Sequence, residues 1–134
     1  MKSKWFWIFS ALFALFPVPT IAQQHSVPAN PISDKELNLL LVGAALTTCE
    51  LASNKVSYDI SVQSSSSSVV SVIGQIFGGK IASVSTALTP QQIFSVVSTE
   101  VALRTNSICP KVVPEDTKKQ LLQIVKNRQE FKAK

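Results

Sequence analysis

The first regular pattern along the chain is a run of apolar residues at helical spacing after Ser33. Its members are Leu37, Leu41, Ala45, Cys49 and Ala52, with Leu40, Val42 and Leu46 widening the stripe. Ser33 and Glu36 form the S-x-x-E sequence of a capping box, which sets the start of the helix. A helix that is apolar over so much of its circumference is predicted to be central to the core.

The next segment, at 56–62, alternates apolar and polar residues. Such alternation is typical of extended chain, and the segment at 81–88 is the one candidate for a partner strand. We therefore expect an extended connection at 56–62, with a two-stranded ribbon of 56–62 and 81–86 as the alternative. On a strand, Tyr58 and Asp59 would point to opposite faces, which argues against a joint catalytic role.

Five consecutive serines, Ser64 to Ser68, precede a second helical pattern. Its apolar residues are Val69, Val70, Ile73, Ile76 and Phe77, and Gly78 with Gly79 provides a C-terminal stop. Because hydroxyl side chains favour helix N-termini, the serines are interpreted as the N-cap and first turn of this helix. No G-x-S-x-G motif marks one of them as a hydrolase nucleophile.

Two further helices are predicted in the second half of the chain. Thr89 and Pro90 begin a third helix, which should end near Asn106 and bury Ile93, Phe94, Val97 and Val101. Pro110 prevents its continuation, and Pro114 opens a fourth helix. The buried stripe of the fourth helix is predicted to be Leu121, Leu122 and Val125, with Phe131 near its end. The predicted fold class is therefore all-α, a small bundle of about four helices, with an α+β fold containing the ribbon as the alternative.

The first 22 residues have the features of a secretory signal peptide. Lys2 and Lys4 precede an apolar run from Trp5 to Phe16, and a small-x-small sequence ends at Ala22. Cleavage there removes two lysines, so 13 basic residues become 11 against 8 acidic ones and the net charge falls from +5 to +3. Residues 23–33 are then expected to be a flexible lead, and residues 34–132 a single helical domain.

Export gives the two cysteines, Cys49 and Cys109, a specific interpretation. An even number of cysteines in an oxidising compartment indicates disulfide bonding, and two cysteines allow one bridge. Two free thiols are the alternative. A redox pair would show C-x-x-C spacing, and a structural zinc site needs four ligands. We predict a bundle tied by a Cys49–Cys109 disulfide.

The remaining side chains offer little catalytic chemistry. His25 is the only histidine, and Glu50, Asp59 and Glu100 are the acidic residues outside the helix starts and the tail. No catalytic, cofactor-binding or metal-binding residue is predicted from them. The basic tail lacks the aromatic interleaving of a nucleic-acid site, and no segment after residue 22 is predicted to anchor the chain in a membrane.

Several stretches resemble a group of small exported cyanobacterial proteins of unknown function. They are CPKVVPEDTKKQLLQIV at 109–125, GGKI at 78–81, LTPQQIF at 88–94 and the cysteine that ends the first helix. The resemblance covers about residues 36–126. It implies a helical fold, a bridge between Cys49 and Cys109, and a cyanobacterial periplasm or thylakoid lumen. Some members of the group carry an automated label as class-II cyclic-AMP phosphodiesterases, whose histidine-rich metal site a single histidine cannot build.

These observations lead to two functional hypotheses. The first is an exported, non-enzymatic helical binding or accessory protein in the periplasm, thylakoid lumen or extracellular space. It would use no cofactor and would recognise a protein partner or a small apolar ligand. The alternative is a small extracytoplasmic hydrolase, such as the phosphodiesterase of the automated label, with an unrecognised carboxylate or serine site.

Overall fold

The computed structural model describes residues 30–132, and this part of the chain is helical. The helices are α1 (Asp34–Ser53), α2 (Tyr58–Phe77), α3 (Pro90–Ile108) and α4 (Glu115–Lys132), with a short 3-10 helix at Pro110–Val112. No strand is present among the described residues, and one isolated parallel bridge joins Ile32 to Ile81. The all-α prediction is confirmed. The predicted signal peptide and His25 lie outside the described residues.

Local capping interactions define the ends of three helices. At the start of α1 the Ser33 hydroxyl accepts from the Glu36 N–H at 3.3 Å, and the Glu36 carboxylate accepts from the Ser33 N–H at 3.0 Å. Thr89 and Gln92 form the same capping box at the start of α3. Gly78 ends α2 in the left-handed conformation with φ 58°, which glycine adopts without steric cost. These boundaries agree with the sequence-based expectations.

The main core lies between α1, α2 and α3. Its fully or nearly buried members come from all three helices and from Ile32 and Ile81, and they are Ile32, Leu41, Ala44, Val69, Ile73, Ile81, Ile93, Val97 and Val101. The predicted core faces of α1 and α3 are therefore confirmed in their central positions. A second, smaller cluster of Tyr58, Ala102, Val113 and Leu121 connects α4 to α2 and α3.

Ile32 is fully buried, although it lies in the segment predicted to be a flexible lead. Its N–H donates to the Lys80 carbonyl at 3.0 Å, and its carbonyl accepts from the Ala82 N–H at 2.9 Å. Ile81 is buried beside it. The extended partner of Ile81 is thus the residue before the α1 cap, and the end of the lead is part of the fold.

The prediction of an extended segment at 56–62, and with it the ribbon alternative, is wrong. Residues from Tyr58 onward belong to α2, so the serines Ser64 to Ser68 lie in the middle of that helix and not in its first turn. Ser65 and Ser66 are buried. Serine favours helix N-termini, but in α2 its small side chain allows close packing against the neighbouring helices, and packing overrides the weak local preference.

The predicted buried stripe of α4 is only partly correct. Leu121 is buried, but Leu122 is 67% exposed, Val125 is 38% exposed and Phe131 is 85% exposed. The face that α4 turns inward instead contains Thr117, Leu121 and Ile124. Since α4 rests on one side of the bundle, only a narrow stripe of the helix is covered.

Among the described helices, α1 is long and apolar enough to cross a membrane by length and composition alone. In the fold it supplies Leu41, Ala44 and Ala45 to the core. A core helix with a wide apolar stripe meets the same criteria.

Candidate ligand-binding groove

The disulfide is formed between the two cysteines as predicted. It joins Cys49 in the last turns of α1 to Cys109, the C-cap residue of α3, with the two Cα atoms 6.1 Å apart. The bridge thus ties the C-terminal ends of two core helices together.

The three acidic residues singled out in the sequence do not form one site. Glu50 is exposed at the end of α1, Asp59 is exposed in the first turn of α2, and Glu100 is half-buried in α3. No group of three histidine, cysteine or acidic side chains within residues 30–132 is arranged to hold a metal ion. Asp59 lines the groove described below.

Glu100 has a structural role in the contact between α3 and α4. One carboxylate oxygen accepts from Arg104 at 2.5 Å, the other accepts from Arg128 of α4 at 2.5 Å, and Arg104 also donates to Asn38 of α1 at 3.0 Å. Burial opposes the charge of Glu100, but the hydrogen bonds from Arg128 and Arg104 and their positive charges outweigh it. The pKa of Glu100 is therefore lowered.

A groove of about 370 Å³ lies where α2, α3 and α4 meet, a size at the small end of ligand pockets. Its apolar side chains come from all three helices and are Val62, Phe94, Ala102, Leu121 and Ile124. We call it the Tyr58 groove, because Tyr58 and Asp59 line it at the start of α2. The apolar lining would hold the body of a ligand.

Tyr58 is the most unusual side chain of the groove. It is only 8% exposed, and its buried hydroxyl has no hydrogen-bond partner within the described part of the chain. Burial raises the pKa of Tyr58, and the charge of Asp59 adds to the effect. The side chain is therefore protonated near neutral pH and offers an O–H donor that the fold itself does not use.

Five neutral polar side chains complete the lining, and they are Gln63, Ser98, Thr99, Thr117 and Gln120. The hydroxyls of Ser98 and Thr99 donate to the Ser95 carbonyl at 3.2 and 2.9 Å, so each oxygen keeps acceptor capacity. Gln63 and Gln120 are exposed and present amide donors and acceptors. Apolar walls with a few polar groups are typical of sites that bind small amphipathic molecules.

The groove is not predicted by the sequence pattern, because alternation at 56–62 favours an extended segment for Tyr58 and Asp59. In the first turn of α2 the two residues line the same groove. A helical signal was present: Tyr58, Ser61, Ser65, Val69 and Ile73 recur at helical spacing and are all buried. The helical pattern is recognisable if serine is counted, with the apolar residues, among the side chains that a helix can bury.

Comparison with known proteins identifies a family but no characterised relative. A family model described as "Domain of unknown function (DUF8650)" matches residues 35–133. No curated protein and no solved structure matches the chain. The matched range contains both cysteines and every residue that lines the Tyr58 groove.

Proposed function

The chain belongs to the DUF8650 family of proteins with a domain of unknown function, and from that premise we propose that it is an exported, non-enzymatic protein that binds a small amphipathic molecule in the Tyr58 groove. The observation that carries the proposal is a groove with apolar walls whose lining includes Tyr58, a residue whose buried hydroxyl has no hydrogen-bond partner among residues 30–132. An unpaired buried hydroxyl costs about 1–3 kcal/mol. A ligand with a hydrogen-bond acceptor would satisfy that hydroxyl, so bound ligand would offset the cost.

Export is supported by two independent features. Residues 1–22 have the charge and hydropathy pattern of a signal peptide, and the Cys49–Cys109 disulfide is of the kind that persists outside the cytoplasm. The proposed location is the periplasm, the thylakoid lumen or the extracellular space, and the proposed cyanobacterial origin rests on sequence resemblance.

The size and lining of the groove define the class of ligand. The body should be aromatic or aliphatic to contact Phe94 and Leu121, and one end should carry an uncharged acceptor such as a carbonyl, ether or hydroxyl oxygen for Tyr58. An anionic acceptor is disfavoured because the Asp59 carboxylate lines the same groove. The ligand is thus a neutral, largely apolar molecule with one polar end.

The proposal is tested by identifying what the protein carries. The full chain is expressed in a host that exports it, isolated under mild native conditions, denatured and extracted, and the extract is analysed by mass spectrometry. A stoichiometric small molecule is expected from the wild type and should be missing from Ser98→Trp, because the larger side chain fills the groove. Ser107→Trp, an exposed position on the same helix, is the matched control and should retain the molecule.

Tyrosine fluorescence provides a second measurement of the binding of the same molecule. Tyr58 is the single tyrosine, and both tryptophans, Trp5 and Trp7, lie in the predicted signal peptide. Once residues 1–22 are removed, the fluorescence of the protein reports on Tyr58, and returning the extracted molecule should change it. Empty wild-type protein, or equal recovery from both tryptophan variants, contradicts the proposal. Hydrolysis of cyclic AMP that is lost in Asp59→Asn would favour the hydrolase alternative.

A further inference from the structure

Helix α4 is attached to the bundle by the same narrow stripe that forms one wall of the Tyr58 groove. Leu121 is the one buried residue of α4 among residues 115–131, whereas α1, α2 and α3 bury four, six and five residues. The residues of α4 that line the groove are Thr117, Gln120, Leu121 and Ile124. The surface that holds α4 in place is therefore also the surface that α4 offers to a ligand.

The other walls of the groove belong to α2 and α3, which are fixed in the main core. Val69 and Ile73 of α2 are buried there beside Val97 and Val101 of α3. A ligand in the groove would lie between these two helices and α4. It gains its contacts with α4 only while that helix is docked, so ligand binding and docking of α4 favour each other.

An ion pair outside the groove holds α4 in its docked position. The Arg128 Nη1 atom of α4 lies 2.5 Å from the Glu100 Oε1 atom of α3. Neither residue lines the groove, but Ile124 lies one helical turn before Arg128, and Thr99 directly precedes Glu100. Since Ile124 and Thr99 both line the groove, the pair joins α3 to α4 beside two residues of its walls.

Glu100 is itself held in position by contacts within the core helices. Its second carboxylate oxygen accepts from Arg104 at 2.5 Å, and Arg104 also donates to Asn38 of α1 at 3.0 Å. Isolated pairs of exposed charges contribute little to stability, but a network of several charges contributes more. The Glu100 side chain is only 23% exposed and accepts from two arginines. Arg128 is thus the residue by which α4 joins a network that α1 and α3 already hold in place.

We propose, building on the ligand-binding function proposed above, that α4 is a movable wall of the Tyr58 groove and that Arg128 is a positioning residue for the ligand. Arg128 does not contact the ligand but pairs with Glu100 and keeps α4 docked. The apparent affinity falls with the fraction of molecules in which α4 is docked. Loss of the ion pair therefore weakens binding without changing the surroundings of the bound ligand.

Binding is measured with Prodan, a neutral naphthalene that carries a ketone at one end and so belongs to the ligand class proposed for the groove. Its emission depends on the polarity and hydrogen bonding around the ketone. Titration of the exported protein obtained from the full chain gives both the Kd and the emission maximum of the bound probe. Arg128→Gln should raise the Kd about threefold or more, whereas the emission maximum at saturation should match that of the wild type.

Lys126→Gln is the matched control for the loss of one positive charge from α4. Lys126 is exposed and forms no ion pair within residues 30–132, so this variant should bind Prodan like the wild type. Arg128→Lys keeps a cation opposite Glu100 and should recover most of the affinity lost in Arg128→Gln. All three variants should fold, because they leave the main core and the disulfide unchanged.

Amide hydrogen exchange measures the docking of α4 directly. Without probe, α4 should exchange faster in Arg128→Gln than in Lys126→Gln. Prodan at about 100 times its Kd should slow exchange in α4 of the wild type by up to about 100-fold, because the ligand must leave before α4 opens.

The outcomes separate this inference from the proposed function on which it rests. Equal Kd values for Arg128→Gln and Lys126→Gln, a shifted emission maximum in Arg128→Gln, or exchange in α4 that Prodan leaves unchanged would each overturn the inference while ligand binding in the groove is retained. No binding of Prodan by the wild type, or equal binding by Ser98→Trp, would overturn the inference and the proposed function together.

Discussion

The hydroxyl of Tyr58 shows how a single residue can connect stability and binding. Its ring is part of the small cluster with Ala102, Val113 and Leu121 that joins α4 to the bundle. Its hydroxyl is buried without a partner among residues 30–132, so the ring stabilises the folded state while the hydroxyl destabilises it. These two contributions can be separated by removing only the oxygen.

We expect Tyr58→Phe to raise the free energy of unfolding by about 1 kcal/mol in ligand-free protein, because an unpaired buried hydroxyl is removed while the ring is kept. The same variant should recover less of the co-purifying molecule. Urea unfolding and quantitative mass spectrometry measure the two effects.

Ser66→Ala is the matched control for Tyr58→Phe. The Ser66 hydroxyl is also buried and has no partner within the described part of the chain, but Ser66 does not line the Tyr58 groove. This variant should gain stability and keep the molecule. If Tyr58→Phe instead lost stability in ligand-free protein, the hydroxyl would have an internal partner and its assignment as a free donor would be wrong.

At the scale of the helices, α4 is held differently from α1, α2 and α3. The first three helices share the main core, whereas α4 is joined through Leu121 in the smaller cluster and through the Glu100–Arg128 ion pair. A helix held by few buried contacts opens at a lower free energy than the core. Substitutions that weaken the attachment of α4 should therefore leave the other helices in place. Because α4 lines the Tyr58 groove, the same substitutions should also alter the groove.

We expect Glu100→Gln to increase amide hydrogen exchange in α4 more than in α1, with a loss of about 1 kcal/mol in the stability of that attachment. Because the folded-state pKa of Glu100 is lowered, the contribution of its ionised carboxylate to the attachment of α4 is complete above the unfolded-state pKa and is lost as the pH falls through the folded-state value. Lowering the pH should thus increase amide hydrogen exchange in α4 of the wild type, but it should cause little further increase in Glu100→Gln.

Asp116→Asn provides the control for the α4 experiment. Asp116 pairs with Lys119 at 3.4 Å, and both side chains are highly exposed, so this pair should contribute almost nothing to stability. Equal exchange in α4 of Glu100→Gln and the wild type would show that the apolar contacts alone hold the helix.

The whole molecule depends on a covalent link between distant parts of the chain. The disulfide spans 60 residues, and it joins the ends of α1 and α3 on either side of α2. A cross-link stabilises a small domain mainly by restricting its unfolded chain. The disulfide should therefore stabilise all three core helices and not only the residues beside the bridge.

We expect replacement of both cysteines by alanine to lower the free energy of unfolding by up to about 4 kcal/mol, the chain-entropy value for a loop of this length. Calorimetry or urea unfolding of the two proteins measures the difference. A reducing agent should lower the stability of the wild type toward that of the double variant. It should have no effect on the double variant, which controls for other actions of the reagent.

Many features of this protein follow from local signals in its sequence. The capping boxes at Ser33 and Thr89 and the left-handed Gly78 were predictable, because each acts within one helical turn. The central core positions of α1 and α3 followed from periodicity alone. The disulfide could be predicted because two cysteines allow a single pairing.

Tertiary structure decided the features that depend on what each helix faces. Serines at 64–68 have no local preference for a helix interior, and only close packing with neighbouring helices accounts for buried Ser65 and Ser66. Leu122 and Phe131 look like core residues, yet they are exposed because α4 is covered along one narrow stripe. The Tyr58 groove arises where three helices meet. Periodicity identifies which side chains prefer burial, but the arrangement of neighbouring elements determines which of them are covered.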